Sequence, residues 1–213
     1  MAKIETIRHS LAHILALTIK EIYPDVKLGI GPAIENGFYY DFDFKENISE
    51  EDLLKIEKKM KRIIRENLSF KKEKISKKKA KEIFKKEPYK LELISQKSKV
   101  KSQKLFVYQS GDFVDLCAGP HIKSTKEINS KGFKLTKIAG AYWKGNEKNP
   151  MLTRIYGVAS DLAGTTFMPL PYASPVLADN IELWVDNANV NIKVGKDRSS
   201  YTVSYIVVEY IST

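Results

Sequence analysis

The chain has 213 residues, with 36 Lys and Arg against 26 Asp and Glu, for a net charge of +10; 43% of it is hydrophobic, enough for one or two modest cores. No apolar run reaches the length of a membrane span, the N-terminus lacks a signal-like stretch, and one cysteine excludes an intramolecular disulfide. The expected setting is a reduced cytoplasm with no membrane partner, and the basic surplus points to an acidic partner, nucleic acid first. The charge is uneven: residues 160–213 hold three basic and six acidic side chains, or −3, which leaves +13 on residues 1–159. Composition shifts at the same place, from lysine-rich to rich in Thr, Ser, Asn, Val and Tyr, so we divide the chain into domains 1–159 and 160–213.

The opening segment "RHSLAHILA" reads as a helix that should stop near Tyr23, because Pro24 disfavours helical geometry in its predecessor. Ile7, Leu11, Ile14, Leu15, Thr18 and Ile22 form its apolar stripe. His9 and His13 fall nearly opposite that stripe, beside the small residues Ala12 and Ala16, and are expected to point together out of the packed face. "KLGIGPAIENGFYYDFDF" carries an Asn36–Gly37 turn signal followed by alternating Phe38, Tyr40, Phe42 and Phe44, which predicts a hairpin. "SEEDLLKIEKKMKRIIREN" opens with Ser49 as a cap and three acids in the first turn; Leu53, Ile56, Met60, Ile63 and Ile64 supply its buried stripe. A shorter basic helix, "SKKKAKEIFKKE", should end before Pro88. Three strands are expected next, in "YKLELI", "KLFVYQ" and "DFVDLC", and "GFKLTKIAGAYWKG" reads as half strand, half turn. The mixed order predicts an α+β fold with helices packed on an antiparallel sheet.

The segment "DFVDLCAGPHI" holds Cys117 and His121, and all three histidines and the one cysteine of the chain sit in this segment and the first helix. Taken alone, an i,i+4 histidine pair is ordinarily solvated, and a C-x3-H pair is ordinarily a buried thiol and a loop histidine. Together, two imidazoles on a helix and a thiol with a third imidazole on a strand-to-turn can converge on one point. His9, His13, Cys117 and His121 match a tetrahedral zinc set in number and type. The same groups also suit a metal-free hydrolytic pocket, as proton carriers and as donors to a developing oxyanion.

Five segments, "HSLAHILA", "GIGPAIENGFYYDFD", "EPYKLELI", "GDFVDLCAGPHI" and "KIAGAYWKGNEKNPMLTRIYG", resemble in order and spacing the editing domain of bacterial-type threonyl-tRNA synthetases, over residues 6–157. Alanyl-tRNA synthetase editing domains and free-standing alanyl-tRNA deacylases share the H-x3-H and C-x3-H frame. The resemblance implies a hydrolase that removes serine from mischarged seryl-tRNA(Thr), with the tRNA(Thr) acceptor end as partner. It requires no cofactor, although zinc on His9, His13, Cys117 and His121 is the alternative. It implies that His9 and Lys90 hold and activate the water, with His13 and Asp115 completing the catalytic set. Tyr40, Cys117 and His121 would bind the seryl group and terminal adenosine. From the residues alone, Lys90 reads as a solvated strand lysine, Tyr40 as core, and Asp115 as facing the same side as Cys117. The basic helices offer contacts to tRNA phosphates.

The small N-terminal domain common in full-length synthetases, the aminoacylation core and the anticodon-binding domain are not expected within this chain. The resemblance therefore implies an editing fragment, acting as a homodimer or with a parent synthetase, that does not ligate threonine itself. Two other readings are a zinc-dependent alanyl-tRNA-type deacylase and a non-catalytic tRNA-binding or structural module. In residues 160–213 the runs "IELWV", "VNIKV" and "YTVSYIVVEY", separated by Asn, Asp and Gly, predict a small all-β module. This tail loosely resembles the ends of phage tail and other virion structural proteins.

Overall fold

Helix α1 runs Ile4–Ile22 and ends, as the proline predicts, just before Tyr23. The computed structural model describes residues 2–97 and 104–160, and beyond them the backbone of four strands. Helix α1 is not one-sided: Ser10 to Ile19 are buried without interruption. A helix apolar on every side is one surrounded on every side, and here β strands, a second helix and the loop after Leu116 enclose it. Its hydroxyls are satisfied internally, Ser10 Oγ donating to Thr6 O and Thr18 Oγ to Ile14 O, both at 2.8 Å.

Short strands β1 (Lys27–Leu28) and β2 (Ala33–Ile34) both pair antiparallel with β3 (Gly37–Asp43). The predicted hairpin is present, with Ile34 opposite Gly37 across a two-residue loop. Phe38, Tyr40 and Phe42 are buried on the face of β3 that meets α1. Helix α2 (Glu50–Arg65) starts in a capping box between Ser49 and Asp52, and all five predicted stripe residues are buried. Strand β3 continues through β8 (Met151–Ala159) to β7 (Phe133–Tyr142), giving an antiparallel sheet covered by α1 and α2.

A second sheet has the order β4-β5-β6, with β4 at Lys71–Ile75, β5 at Leu105–Ser110 and β6 at Phe113–Leu116. Its apolar face, Ile75, Leu105, Val107 and Leu116, packs with α3 (Lys77–Ile83) and α4 (Pro88–Lys97) through Ala80, Phe84 and Ile94. Helix α4 corrects one expectation, since "YKLELI" is not a strand. Its apparent alternation also fits helical spacing, with Tyr89 and Leu93, and Lys90 and Ile94, four apart. Pro88 at the first helical position tips the balance, as its missing N–H costs nothing there. Segment 133–145 is mostly strand rather than half strand and half turn: β7 takes ten residues and only Trp143–Gly145 form a 3₁₀ turn.

In residues 160–213, Thr166–Pro169 pairs antiparallel with Tyr205–Val208, and Ile181–Asp186 with Asn189–Val194. The expected β module as a unit lies largely outside the described residues.

Candidate active site

Helix α1 and the turn after β6 deliver the histidines and the cysteine to one place. Cys117 Sγ lies 3.3 Å from His9 Nε2 and 3.3 Å from His121 Nε2, and the two imidazole centroids are 4.3 Å apart. Hydrogen-bond accounting fixes both tautomers. His9 Nδ1 is 3.1 Å from the Pro120 carbonyl, which only accepts, so Nδ1 carries the proton. Ser10 Oγ spends its single hydrogen on Thr6 O while accepting from Ile122 N, so at 3.1 Å it accepts from His121 Nδ1 as well. Both Nε2 lone pairs therefore face the sulfur. One thiol hydrogen serves only one of them.

That donor set fits a divalent metal ion. Ligand atoms of His9, Cys117 and His121 all lie within 4.8 Å of one another. Two imidazoles whose far nitrogens are held by Pro120 O and Ser10 Oγ, plus one thiolate, match a three-ligand zinc site with a fourth position for water. His13 is not in this group, which corrects the four-ligand expectation.

His13 also does not point out of the packed face. It is 2% exposed, and neither ring nitrogen has a hydrogen-bond partner. Phe70, Phe113 and His121 surround it, with centroids 5.1, 5.0 and 5.1 Å away. Burial pulls its pKa down to about 4, against the Asp115 charge, which favours the imidazolium. Burial likewise lowers His9, and takes His121 to about 2. All three are neutral imidazoles at pH 7.

Opposite the histidines is a buried triangle. Lys90 Nζ lies 2.6 Å from Asp115 Oδ1 and donates to Tyr40 Oη at 2.9 Å; Tyr40 Oη in turn donates to Asp115 Oδ2 at 2.7 Å. Asp115 Oδ1 also accepts the Leu116 N–H. Burial alone would raise the Asp115 pKa, but the Lys90 charge and the hydrogen bonds from Lys90 and Tyr40 outweigh it and hold the carboxyl below its usual range. Burial, reinforced by the Asp115 charge, pushes the Tyr40 phenol far up. Lys90 thus sits inside on a helix, not solvated on a strand. Gly31 lies flat on the Tyr40 ring, which a Cβ at that position would overlap.

Helix α4 is fastened from its far side, a feature the sequence reading missed. Trp143 Nε1 donates to Glu92 at 2.7 Å, Lys144 Nζ binds the same carboxylate, and the Tyr89 ring packs on Trp143 while its hydroxyl donates to Asp43 at 2.7 Å. Trp143 and Lys144 lie in "AYWKG", inside one of the five resembling segments, but no site role was expected of them.

An open pocket of about 300 Å³ is lined by all seven sequence candidates, His9, His13, Tyr40, Lys90, Asp115, Cys117 and His121. Ile30, Gly31 and Pro32, from "GIGPAIENG", and Leu93, from "EPYKLELI", add an apolar rim. A water in this pocket would meet unprotonated imidazole nitrogens on one side and an ammonium on the other. That pairing suits proton transfer coupled to stabilisation of a developing oxyanion.

Residues 105–156 match the family Threonyl and Alanyl tRNA synthetase second additional domain. This span holds Asp115, Cys117, His121 and the "AYWKG" turn. The N-terminal part of the chain is homologous to threonine--tRNA ligases. It is 56% identical over 158 residues to the threonine--tRNA ligase of Thermotoga neapolitana and 54% identical over 158 residues to that of Thermotoga maritima, in each case 73% of this chain and 24% of the relative. The threonine--tRNA ligase of Borreliella burgdorferi is 53% identical over 150 residues, 70% of this chain and 26% of that protein. The chain spans about a quarter of the length of the curated relatives it matches. The loose likeness of the tail to phage and virion proteins gains no support from these similarities. Among the described residues, no helix is long and apolar enough to cross a membrane.

Proposed function

We propose that residues 1–159 form an editing hydrolase that removes serine from mischarged seryl-tRNA(Thr). The observation that carries this reading is the Lys90–Asp115–Tyr40 triangle facing the histidines across one pocket. A structural metal site needs no such buried ammonium beside it. The chemical need is plain, since threonine exceeds serine by one methyl group. A synthetic pocket gains only about 1–3 kcal/mol from that difference, so a second site must discard the errors.

In this reading the water oxygen attacks the ester carbonyl carbon while His9 Nε2 takes its proton. Lys90 holds that water and offers positive charge to the carbonyl oxygen as it becomes an oxyanion. The carbon–oxygen ester bond then breaks, the proton passes to the departing ribose oxygen, and serine leaves. Asp115 and Tyr40 hold the Lys90 side chain in place. His13 and Asp115 complete the catalytic set, and Tyr40, Cys117 and His121 bind the seryl group and the terminal adenosine.

A second reading has its own observation, the convergence of two Nε2 lone pairs on Cys117. Here His9, Cys117 and His121 would hold zinc, which would supply Lewis acidity, as in an alanyl-tRNA-type deacylase. One experiment separates the two: hydrolysis of purified seryl-tRNA(Thr) and threonyl-tRNA(Thr), with and without a chelator. Selective, chelator-resistant loss of serine supports the first reading, and chelator-sensitive loss supports the second. Equal rates on both esters would remove the editing assignment.

A further inference from the structure

The sheet β4-β5-β6 has one apolar face and one that leads from solvent to the pocket. On the second face, Lys72 pairs with Tyr108 and Tyr108 with Asp115, in one cross-strand row. In the next row Lys74 pairs with Phe106, whose carbonyl accepts the Cys117 N–H at 3.2 Å. Directly opposed residues share a face. Both rows therefore pass from an exposed lysine on the edge strand, through an aromatic, to a pocket residue.

Lys72 is exposed yet held in place. Its ammonium donates to the Ala118 carbonyl at 2.8 Å and lies 4.4 Å from the Phe106 ring centroid and 5.6 Å from that of Tyr108. Ala118 lines the pocket, so this cation stands at its lip. A neighbouring hollow, which shares His9 and Pro32 with the pocket, presents the Glu5 carboxylate instead. The neighbouring Arg8 is committed to the carbonyls of Glu35 and Ala159. A polyanionic strand leaving the pocket meets a carboxylate on one side and two lysines on the other.

Resting on the editing reading, we propose that Lys72 and Lys74 bind consecutive phosphodiesters of the single-stranded tRNA 3′ end, immediately before the terminal adenosine. The pocket is at the small end of the range for bound ligands. It takes an aminoacyl group with one nucleoside at most, so the preceding phosphates must cross the rim. Phe106 and the Ala118 carbonyl fix the Lys72 ammonium where the first of them crosses, and Lys74 lies one step further along the same face.

The test compares two esters on the full chain: seryl-tRNA(Thr) and 3′-O-seryl adenosine, which carries no phosphate. In Lys72→Ala/Lys74→Ala the ratio of kcat/KM for the tRNA ester to that for the nucleoside ester should fall roughly tenfold at low salt, the scale of two exposed charge contacts. The log–log salt dependence on tRNA should flatten by about 1.4, at 0.7 per single-strand phosphate. Lys72→Arg/Lys74→Arg should keep the wild-type ratio. An unchanged ratio in the alanine variant overturns the inference and leaves editing standing. An equal fall on both esters also overturns it, since Lys72 would then act through Ala118 on the pocket itself. If the unaltered chain hydrolyses neither ester, the editing reading fails and takes this inference with it.

Discussion

Lys134 and Glu57 are each 5% exposed, and Lys90 and Asp115 are 1% and 4% exposed, so two ion pairs in this molecule are buried alike. Their surroundings differ. Glu57 on α2 receives Lys61 at 2.7 Å, Lys134 at 3.3 Å and the Leu135 N–H at 3.0 Å, pinning α2 to β7 away from the pocket. Lys90 and Asp115 come from separate segments, share Tyr40 and line the pocket. Burial and pairing are thus the same feature put to two uses. In the proposed function, access to a cavity beside groups able to move a proton separates the working pair from the pin.

The contrast is broken most severely at Lys90. Lys90→Met should lower the deacylation rate on the order of a hundredfold or more, the scale of losing a positioned group at the reacting centre. It also strands a buried carboxylate, which costs about 3–5 kcal/mol of stability. Lys90→Met/Asp115→Leu removes both charges and should recover most of that stability, read by urea unfolding, with no recovery of rate. A wild-type rate in the folded double variant would show that this pair is a second pin.

Lys134→Met is the mirror experiment. Glu57 keeps Lys61 and the Leu135 N–H, so the expected loss is about 1–3 kcal/mol. The deacylation rate, measured well below the lowered Tm, should stay unchanged. A fall in rate without a fall in Tm would erase the distinction between the two pairs.

The fastening of α4 lies between these extremes. Trp143→Phe keeps the ring against Tyr89 and deletes the hydrogen bond to Glu92, which should cost about 1 kcal/mol and a several-fold loss in kcat through Lys90. In the Lys90→Met background the same change should leave kcat where it was, since the effect runs through the lysine. The clasp also has a pH signature. Hydrogen bonds from Lys144 and then Trp143 hold the Glu92 carboxyl below its usual 4.5. The unfolded chain therefore binds more protons near that value, and the contribution is present above pH 4.5 and fades as pH falls below it. The stability gap between Trp143→Phe and the unaltered chain should narrow in acid; a constant gap would mean that Glu92 is not its source.

The same division between local and distant information decides what the sequence made legible. Helix α2 is amphipathic with a cap and one apolar stripe, so its bounds and buried face were readable. Helix α1 was readable as a helix, but its surroundings were not. The rings that cover His13 are brought over from Phe70, Phe113 and His121, and no periodicity within α1 records them. Membership of the site was legible because three histidines and one cysteine are scarce enough to stand out. Lys90 did not stand out in a chain with 36 basic residues, and its segment satisfied two periods at once. The bond between Trp143 and Glu92 joins residues 51 apart in the chain, which no local motif reveals.

The smallest effect is expected from removing the tail. All seven candidate residues lie between His9 and His121, and the charge changes sign after residue 159. The structure also says where to cut. Strand β8 pairs through Ala159, opposite Phe133; the Ala159 carbonyl accepts from Arg8; and Ser160 N donates to Gly132 O at 3.0 Å. A chain ending at Gly157 would lose those ties, whereas one ending at Ser160 keeps them. The shortened chain 1–160 should fold with an unchanged circular-dichroism melt. Its deacylation rate should stay within about a factor of two, well under the tenfold that about 1.4 kcal/mol represents. If it is insoluble, or slower by tenfold, the pocket depends on the tail and residues 1–159 are not a unit.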